Sequence, residues 1–180
     1  PLTSGQSYVR TESLRLPVQT NELFEVVVTT NYTGALFEAE RTAILSRPRD
    51  TGQLRADIIN MRQTLLEAHP NTSGLFDIKH DRGGMLDIEF MVQYLVLAHS
   101  GRHPSMARNA GNIALLQRAG ELGLVDHLLA RRVGDAYREY RRLQHGLRLQ
   151  GAQYARVPPA QVAARIEATG MLWTAVFACA

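Results

Sequence analysis

Lysine is almost absent from this chain: of 20 basic residues, only Lys79 is not an arginine. A coding bias toward arginine accounts for that pattern as a whole, but the one lysine falls inside the densest motif of the sequence. Cysteine is nearly as scarce. Cys179 is the only one, which excludes an intrachain disulfide and cysteine-based zinc sites and suits a cytoplasmic protein. No apolar run approaches the roughly 20 residues needed to span a bilayer, so no membrane partner is expected. The start, PLTSGQSYVR, is neither a signal peptide nor an initiator-methionine start, and is read as that of a fragment or processed chain. Internal repeats and low-complexity tracts are missing as well. What remains is ordinary globular composition: 180 residues, 45% hydrophobic and 21% charged, with a formal net charge of +3. That length suits one domain burying about 70% of its unfolded surface.

The first 34 residues read differently from the rest. Phe24–Thr30 is a β-branched run closed by the turn-forming Asn31-Tyr32-Thr33-Gly34, a single strand or extended arm that needs a partner to be stable. From Ala35 onward the periodicity is helical. Ala35–Ser46 ends before Pro48. Asp50, with Gln53 three residues on, resembles a capping box opening a helix with Leu54, Ile58, Met61 and Leu65 on one face and ending near His69-Pro70. A glycine-rich polar stretch, 71–84, precedes an apolar helix from about Leu86 to Ala98. Gly101 and Pro104 break the chain, and a short helix over Asn109–Ala119 is predicted to end at Gly120. Asp126–Gln150 is the longest, with Leu129, Val133, Ala136, Tyr140, Leu143 and Leu147 along one face. Pro158-Pro159 introduces a final helix from about Ala160. The expected fold is all-α, a bundle of five to six helices over 35–180 with an N-terminal extended arm over 1–34.

The segment from Phe76 to Phe90, FDIKHDRGGMLDIEF, is unlike generic bundle sequence. Gly83 and Gly84 stand directly before the apolar helix, where glycine permits positive φ and close approach of another backbone or a ligand. Amides at a helix start favour negative charge. The helix itself is apolar on almost every side yet carries Asp87, Glu89 and Gln93. Glu89 and Gln93 lie within about 40° of each other, on one face. A carboxylate in a central helix needs a partner, and Lys79, Arg82 and Arg108 are the candidates. Two readings stay open and are compatible. Asp87 caps its helix and Glu89 makes a packing ion pair, or the same groups shape the wall of a site. The spacing is neither a P-loop, which needs Gly-Lys-Ser/Thr at the helix start, nor a Rossmann fingerprint.

Taken with its neighbours, FEAERTAILSRPRD before and RNAGNIALLQRAGELGLV after, FDIKHDRGGMLDIEFMVQYLVLAH closely resembles the region just after the nucleotidyltransferase domain in the C-terminal, adenylylating half of bacterial glutamine synthetase adenylyltransferases. The likeness runs from about Ala35 to Gln150. PII uridylyltransferases share only the sparser lysine, Gly-Gly and aspartate core. The resemblance implies a parent enzyme that moves AMP from ATP onto a tyrosine of glutamine synthetase, with Mg²⁺ held by paired aspartates of another domain. No Gly-Ser followed by Asp-x-Asp occurs here; Gly5 and Ser7 do not match, and Glu12, Glu22 and Glu25 are isolated. No catalytic residue, metal ligand or cofactor is therefore expected in this chain, and the chain alone should not transfer AMP. Lys79, Gly83, Gly84, Asp87 and Glu89 match the family motif, with Gln93 extending it, and are expected to face the missing nucleotidyltransferase domain. Residues 1–34 depart from the family pattern; Val26–Thr30 keeps at most the last strand of that domain. Glutamine synthetase and the PII regulatory protein are the implied partners.

Other features carry less. Arg131, Arg138 and Arg142 form a ridge opposite the apolar face of the longest helix, but Asp135 and Glu139 interrupt it and no aromatics alternate with it, so a solvated face or a protein partner is expected before nucleic acid. His99 and His103 have helical metal spacing with Gly101 between them. His127 and His145 lack companions at ligand spacing. A stand-alone helical interaction module is the alternative to an enzyme domain.

Overall fold

The computed structural model describes residues 34–178. Of the arm or strand expected over 1–34, only Gly34 is described, and it opens the first helix; the rest of that arm and the cysteine at 179 lie outside the described residues. The expected all-α architecture is borne out, with six α-helices: α1 (Gly34–Leu45), α2 (Thr51–Ala68), α3 (Met85–His99), α4 (Asn112–Glu121), α5 (His127–Leu149) and α6 (Pro159–Phe177). A 3₁₀ turn covers Pro104–Ala107. One feature was not expected. Phe76–Asp77 (β1) pairs antiparallel with Arg156–Val157 (β2), Phe76 opposite Val157 and Asp77 opposite Arg156, which ties the loop after α2 to the connection after α5.

Helix boundaries follow local chemistry. Asp50 caps α2, its Oδ1 accepting from the amides of Gly52 and Gln53 at 2.8 and 3.0 Å. The expected capping box is only half formed, because the Gln53 amide turns instead to Asp57 Oδ1 at 2.8 Å, an i,i+4 contact available once the helix is formed. Asp126 caps α5 through the Leu129 amide at 2.7 Å. Pro159 opens α6, where a missing N–H costs nothing. The reading of α4 needs correction. It begins at Asn112, three residues later than expected, and continues through Gly120 to Glu121. Gly120 does not end the helix but lets it approach α5: a Cβ there would lie 3.1 Å from the His127 Cα and 3.3 Å from the Ala130 Cβ. The turn glycine is Gly123, at φ 69°.

Helix α3 is central, in contact with α2, α4, α5 and α6, as its near-continuous apolar surface requires. Its Ile88 and Met91 are fully buried among Ile58 of α2, Leu116 of α4, Val133 and Tyr140 of α5, and Leu172 of α6. The expected inner face of α5 is confirmed, Val133, Ala136 and Tyr140 being fully buried while Leu129, Leu143 and Leu147 pack at its margin. Aromatic contacts close the far end of the bundle, Tyr94 and Trp173 lying 5.2 and 4.4 Å from the Phe177 ring, within the range of favourable tilted pairs. Among the described residues no helix is long and apolar enough to cross a membrane.

Truncating Ile88 to alanine removes three buried methyl or methylene groups where α3 packs among four other helices, and should lower stability by about 2–5 kcal/mol. Urea unfolding followed by circular dichroism checks this; a loss under about 1 kcal/mol would mean that the surrounding helices close over the gap.

Candidate functional site: a braced glycine turn

The loop from Asn71 to Gly84 is built around three carboxylates that face inward. Asp77 Oδ1 accepts from the amides of Lys79 and His80, each at 3.0 Å, and its other oxygen meets Arg156 Nε at 3.4 Å. Asp81 Oδ2 accepts from the Asp77 amide at 2.8 Å and from Asn71 Nδ2 at 2.7 Å. Asp87, in the first turn of α3, accepts the Gly83 amide on Oδ2 at 2.6 Å and Arg62 Nε on Oδ1 at 2.5 Å. Arg62, on α2 and only 2% exposed, also donates from Nη2 to the carbonyls of His80 and Asp81, at 2.8 and 3.2 Å. One guanidinium thus joins α2, the loop and α3. A planar fork of five donors suits that task.

The two glycines are required for different reasons. Gly83 has φ 84° and lies so close to α6 that a Cβ would stand 2.8 Å from Ile166 Cγ2. Its carbonyl accepts the Tyr140 hydroxyl at 3.0 Å. Gly84 has an ordinary φ of −86°, but a Cβ on it would meet the carbonyl oxygens of Ile78 and Asp81 at 2.7 and 2.9 Å. The turn is also knitted by backbone bonds, Met85 N to Ile78 O at 2.9 Å, Leu86 N to Lys79 O at 3.2 Å and Ile78 N to Ala155 O at 3.0 Å.

These bonds correct two expectations. The start of α3 is not an open berth for an anion, since the amides of Gly83, Met85 and Leu86 are all taken within the chain. The buried carboxylate is not paired with Lys79, Arg82 or Arg108 either. Asp87 pairs with Arg62, while Arg82 Nη2 donates outward to Gln63 Oε1 at 2.6 Å. Glu89 makes no ion pair with these groups; it accepts the Tyr137 hydroxyl at 2.8 Å. Arg62 was missed in the sequence, although it stands four residues after Ile58, on the flank of the apolar stripe of α2. That position carries a signal: a long cation beside a buried face needs a carboxylate.

The six expected site residues therefore separate into layers. Asp87, Gly83 and Gly84 are buried, Glu89 is half-buried, and Lys79 and Gln93 are exposed. Lys79 stands on the outside of the turn while its amide and carbonyl are held from within. Beside it His80 stacks on His69 with ring centroids 4.4 Å apart and meets Asp77 Oδ1 at 3.2 Å. Burial, assisted by His69 and Lys79, holds the His80 pKa below its usual value against the opposing pull of Asp77. Burial pushes the Asp77 carboxyl up, but the amides of His80 and Lys79 and the nearby cations outweigh it and leave the carboxyl below the usual range. Burial, and then Glu89, raise the pKa of Tyr137. Magnesium does not fit these residues. Asp77 and Asp87 each spend both oxygens on amides and arginines, Asp81 Oδ2 is taken by the Asp77 amide and Asn71, and no group of three or more His, Cys, Asp or Glu side chains among the described residues is placed to hold a metal ion.

The chain is a helical bundle with a carboxylate-braced Gly-Gly turn, and it belongs to the family described as GlnD PII-uridylyltransferase, which matches residues 54–171. It is also similar to enzymes named bifunctional glutamine synthetase adenylyltransferase/adenylyl-removing enzyme. It is 55% identical to that of Burkholderia mallei over 144 residues, 80% of this chain and 16% of the relative. It is 53% identical to that of Bordetella bronchiseptica over 143 residues, 79% and 15% of the two chains. With that of Nitrosomonas europaea it shares 46% over 158 residues, 80% and 17%. The chain spans about a sixth of the length of these relatives.

Arg62→Leu leaves the Asp87 carboxylate buried without its cation and should cost about 3–5 kcal/mol, whereas Arg62→Leu with Asp87→Leu should recover much of that loss. Chemical denaturation of the three chains gives the comparison; equal losses for the single and double variants would show that the turn, not the pairing, bears the cost. Acid should also weaken the loop. Because His80 has a lowered pKa in the fold, the unfolded chain binds more protons as pH falls below the ordinary histidine value of 6.5, so stability is full above that value and declines below it. Asp77, lowered likewise, adds a further loss only below the ordinary carboxyl value of 3.8. The melting temperature should fall between pH 7.5 and 5.5, and fall less in His80→Asn; parallel curves for the two chains would remove His80 as the cause.

Proposed function

We propose that this chain is the helical domain that follows the nucleotidyltransferase domain in the adenylylating half of a cytoplasmic glutamine synthetase adenylyltransferase, and that it positions the transfer site without supplying its metal ligands. In this reading the bundle occupies residues 35–180, and residues 1–34 are an arm or a remnant of the preceding domain. The Gly83-Gly84 turn forms one wall of the cleft in which the neighbouring domain holds ATP and Mg²⁺. The side chain of Lys79 projects from that wall as a compact cation, suited to offset nucleotide phosphate or to pair with a carboxylate of the catalytic domain. Gln93 and Glu89 lie further along the same helix; Asp87, Gly83 and Gly84 hold the turn in shape. Glutamine synthetase is the acceptor, and the PII regulatory protein is the second partner. Nucleic acid is not a partner.

The observation that carries this reading is the combination of 46–55% identity to the named relatives with an exposed Lys79 set on a turn whose polar groups are spent on internal bonds. A loop built only to connect two helices needs no such bracing.

In the whole enzyme, Lys79→Ala should lower the rate of adenylylation at least tenfold with no change in melting temperature, read by transfer of labelled AMP to glutamine synthetase. A joint fall of turnover and melting temperature would make Lys79 a structural residue. The 180-residue chain by itself, given ATP, Mg²⁺ and glutamine synthetase, should show no transfer, and a measurable rate would mean that the transferring carboxylates lie within it.

A further inference from the structure

Helices α4 and α5 form an antiparallel pair of unequal length. Gly120 packs on His127 and Ala130, Ile113 on Gly134, and Asn112, the first residue of α4, lies beside Tyr137. Residues 138–149 of α5 therefore run on past the start of α4 for about 18 Å at 1.5 Å per residue. The helix face that α4 covers at Gly134 and Tyr137 continues, at helical spacing, through Arg141, Gln144, His145 and Arg148. Along the first half that face is buried; along the second, Arg141, His145 and Arg148 are exposed and Gln144 half-buried. With Arg142 they line a shallow groove.

Charge sets this strip apart from the rest of the helix. Further toward its start, Arg138 is paired with Asp135 at 2.5 Å, and Glu139 takes Arg165 of α6 at 2.6 Å. Arg141, Arg142 and Arg148 meet no carboxylate among the described residues, and no acidic side chain lines the groove. Leu149, 76% exposed, follows directly. An arginine-rich strip with an apolar residue at its end and no interleaved aromatics suits a protein surface, in which arginine forks engage carboxylates, rather than single-stranded nucleic acid, which calls for stacking platforms.

We propose that the overhang of α5, Arg141 to Leu149, is a docking shelf for an acidic segment of the protein that the parent enzyme modifies, laid where a longer α4 would have run. Identification of the occupant with the acceptor rests on the reading under Proposed function; the charge of the occupant does not. Tyr140, which holds the Gly83 carbonyl, lies about a quarter turn of helix from Arg141, so an acceptor seated on the shelf stands beside the braced turn rather than on top of it.

Two measurements separate these points. A fluorescent 16-residue glutamate-rich peptide titrated with the 180-residue chain at low salt should bind, and Arg141→Glu/Arg148→Glu should weaken it at least tenfold. The control Arg131→Glu/Arg132→Glu, with the same change in net charge, should leave binding within twofold. Equal weakening by both pairs, or a 16-residue single-stranded oligonucleotide that binds more tightly than the peptide, overturns the shelf. In the whole enzyme the first pair should raise the KM for glutamine synthetase about tenfold while kcat and the KM for ATP stay put. An unchanged KM for the acceptor overturns its assignment as occupant. Absence of transfer by the unaltered enzyme would fail the adenylyltransferase reading instead, with the peptide titration still deciding the shelf.

Discussion

The arrangement turns on one buried guanidinium. Arg62, on the inner face of α2, is almost wholly removed from water, and burying such a group is costly unless a carboxylate and further acceptors receive it. Asp87 and the carbonyls of His80 and Asp81 do so. Each acceptor belongs to a different piece of the signature segment, so satisfying the arginine fixes the loop and the start of α3 together. An apolar residue at 62 could pack against α3, but it would not specify the path of the loop backbone. The return on the desolvation is geometry more than stability. The Nη1 of Arg62, buried without a partner, shows that even this receipt is incomplete.

From that brace the constraint spreads to the two last helices. Asp87 spends its second oxygen on the Gly83 amide, the Gly83 carbonyl takes the Tyr140 hydroxyl, and the missing Cβ of Gly83 admits Ile166. Burial drives the Tyr140 phenol well above its usual pKa, which favours the neutral form that donates to Gly83. The pairing of β1 with β2, with Arg156 between Asp77 and the ring of Tyr154, 4.5 Å from its centroid, closes the other side. The turn is held from α2, α3, α5 and α6 at once, which leaves little room for it to move without disturbing the core.

Much of this was legible in the residue order, and the limits have physical causes. Helices α2, α3, α5 and α6 announce themselves through period and punctuation: the Asp50 cap, the apolar run after Gly84, the Leu-Val-Ala-Tyr face of α5 and Pro158-Pro159. The motif around Gly83 and Gly84 was visible too, as glycines where only glycine serves. What stayed hidden depends on tertiary distance. Asp87 finds its cation 25 residues upstream, and no local spacing distinguishes Arg62 from the expected candidates Lys79, Arg82 and Arg108, which are all exposed. Gly120 looks like a helix end by composition, and becomes a close-packing residue only once α5 is folded back on it. A two-residue ladder between Asp77 and Arg156, separated by 79 positions, leaves no periodic trace at all.

The layering of the motif has a consequence for recognition. A cation on a mobile loop must be ordered when it binds, and immobilising such a segment commonly consumes part of the interaction energy. Here that ordering has already taken place during folding, through the bonds beneath the loop. The backbone on either side of Lys79 is pinned by Asp77 and by Leu86, so only the four-carbon stem of the side chain has freedom left to lose. The same holds for the basic strip of α5, carried on a helix whose opposite face is the bundle core. Both charged surfaces are thus presented on rigid supports, and the bonds that make them rigid lie beneath them, out of reach of whatever binds. That separation, with structure inside and charge outside, divides one short segment between buried acids that hold the fold and a lysine that folding leaves exposed.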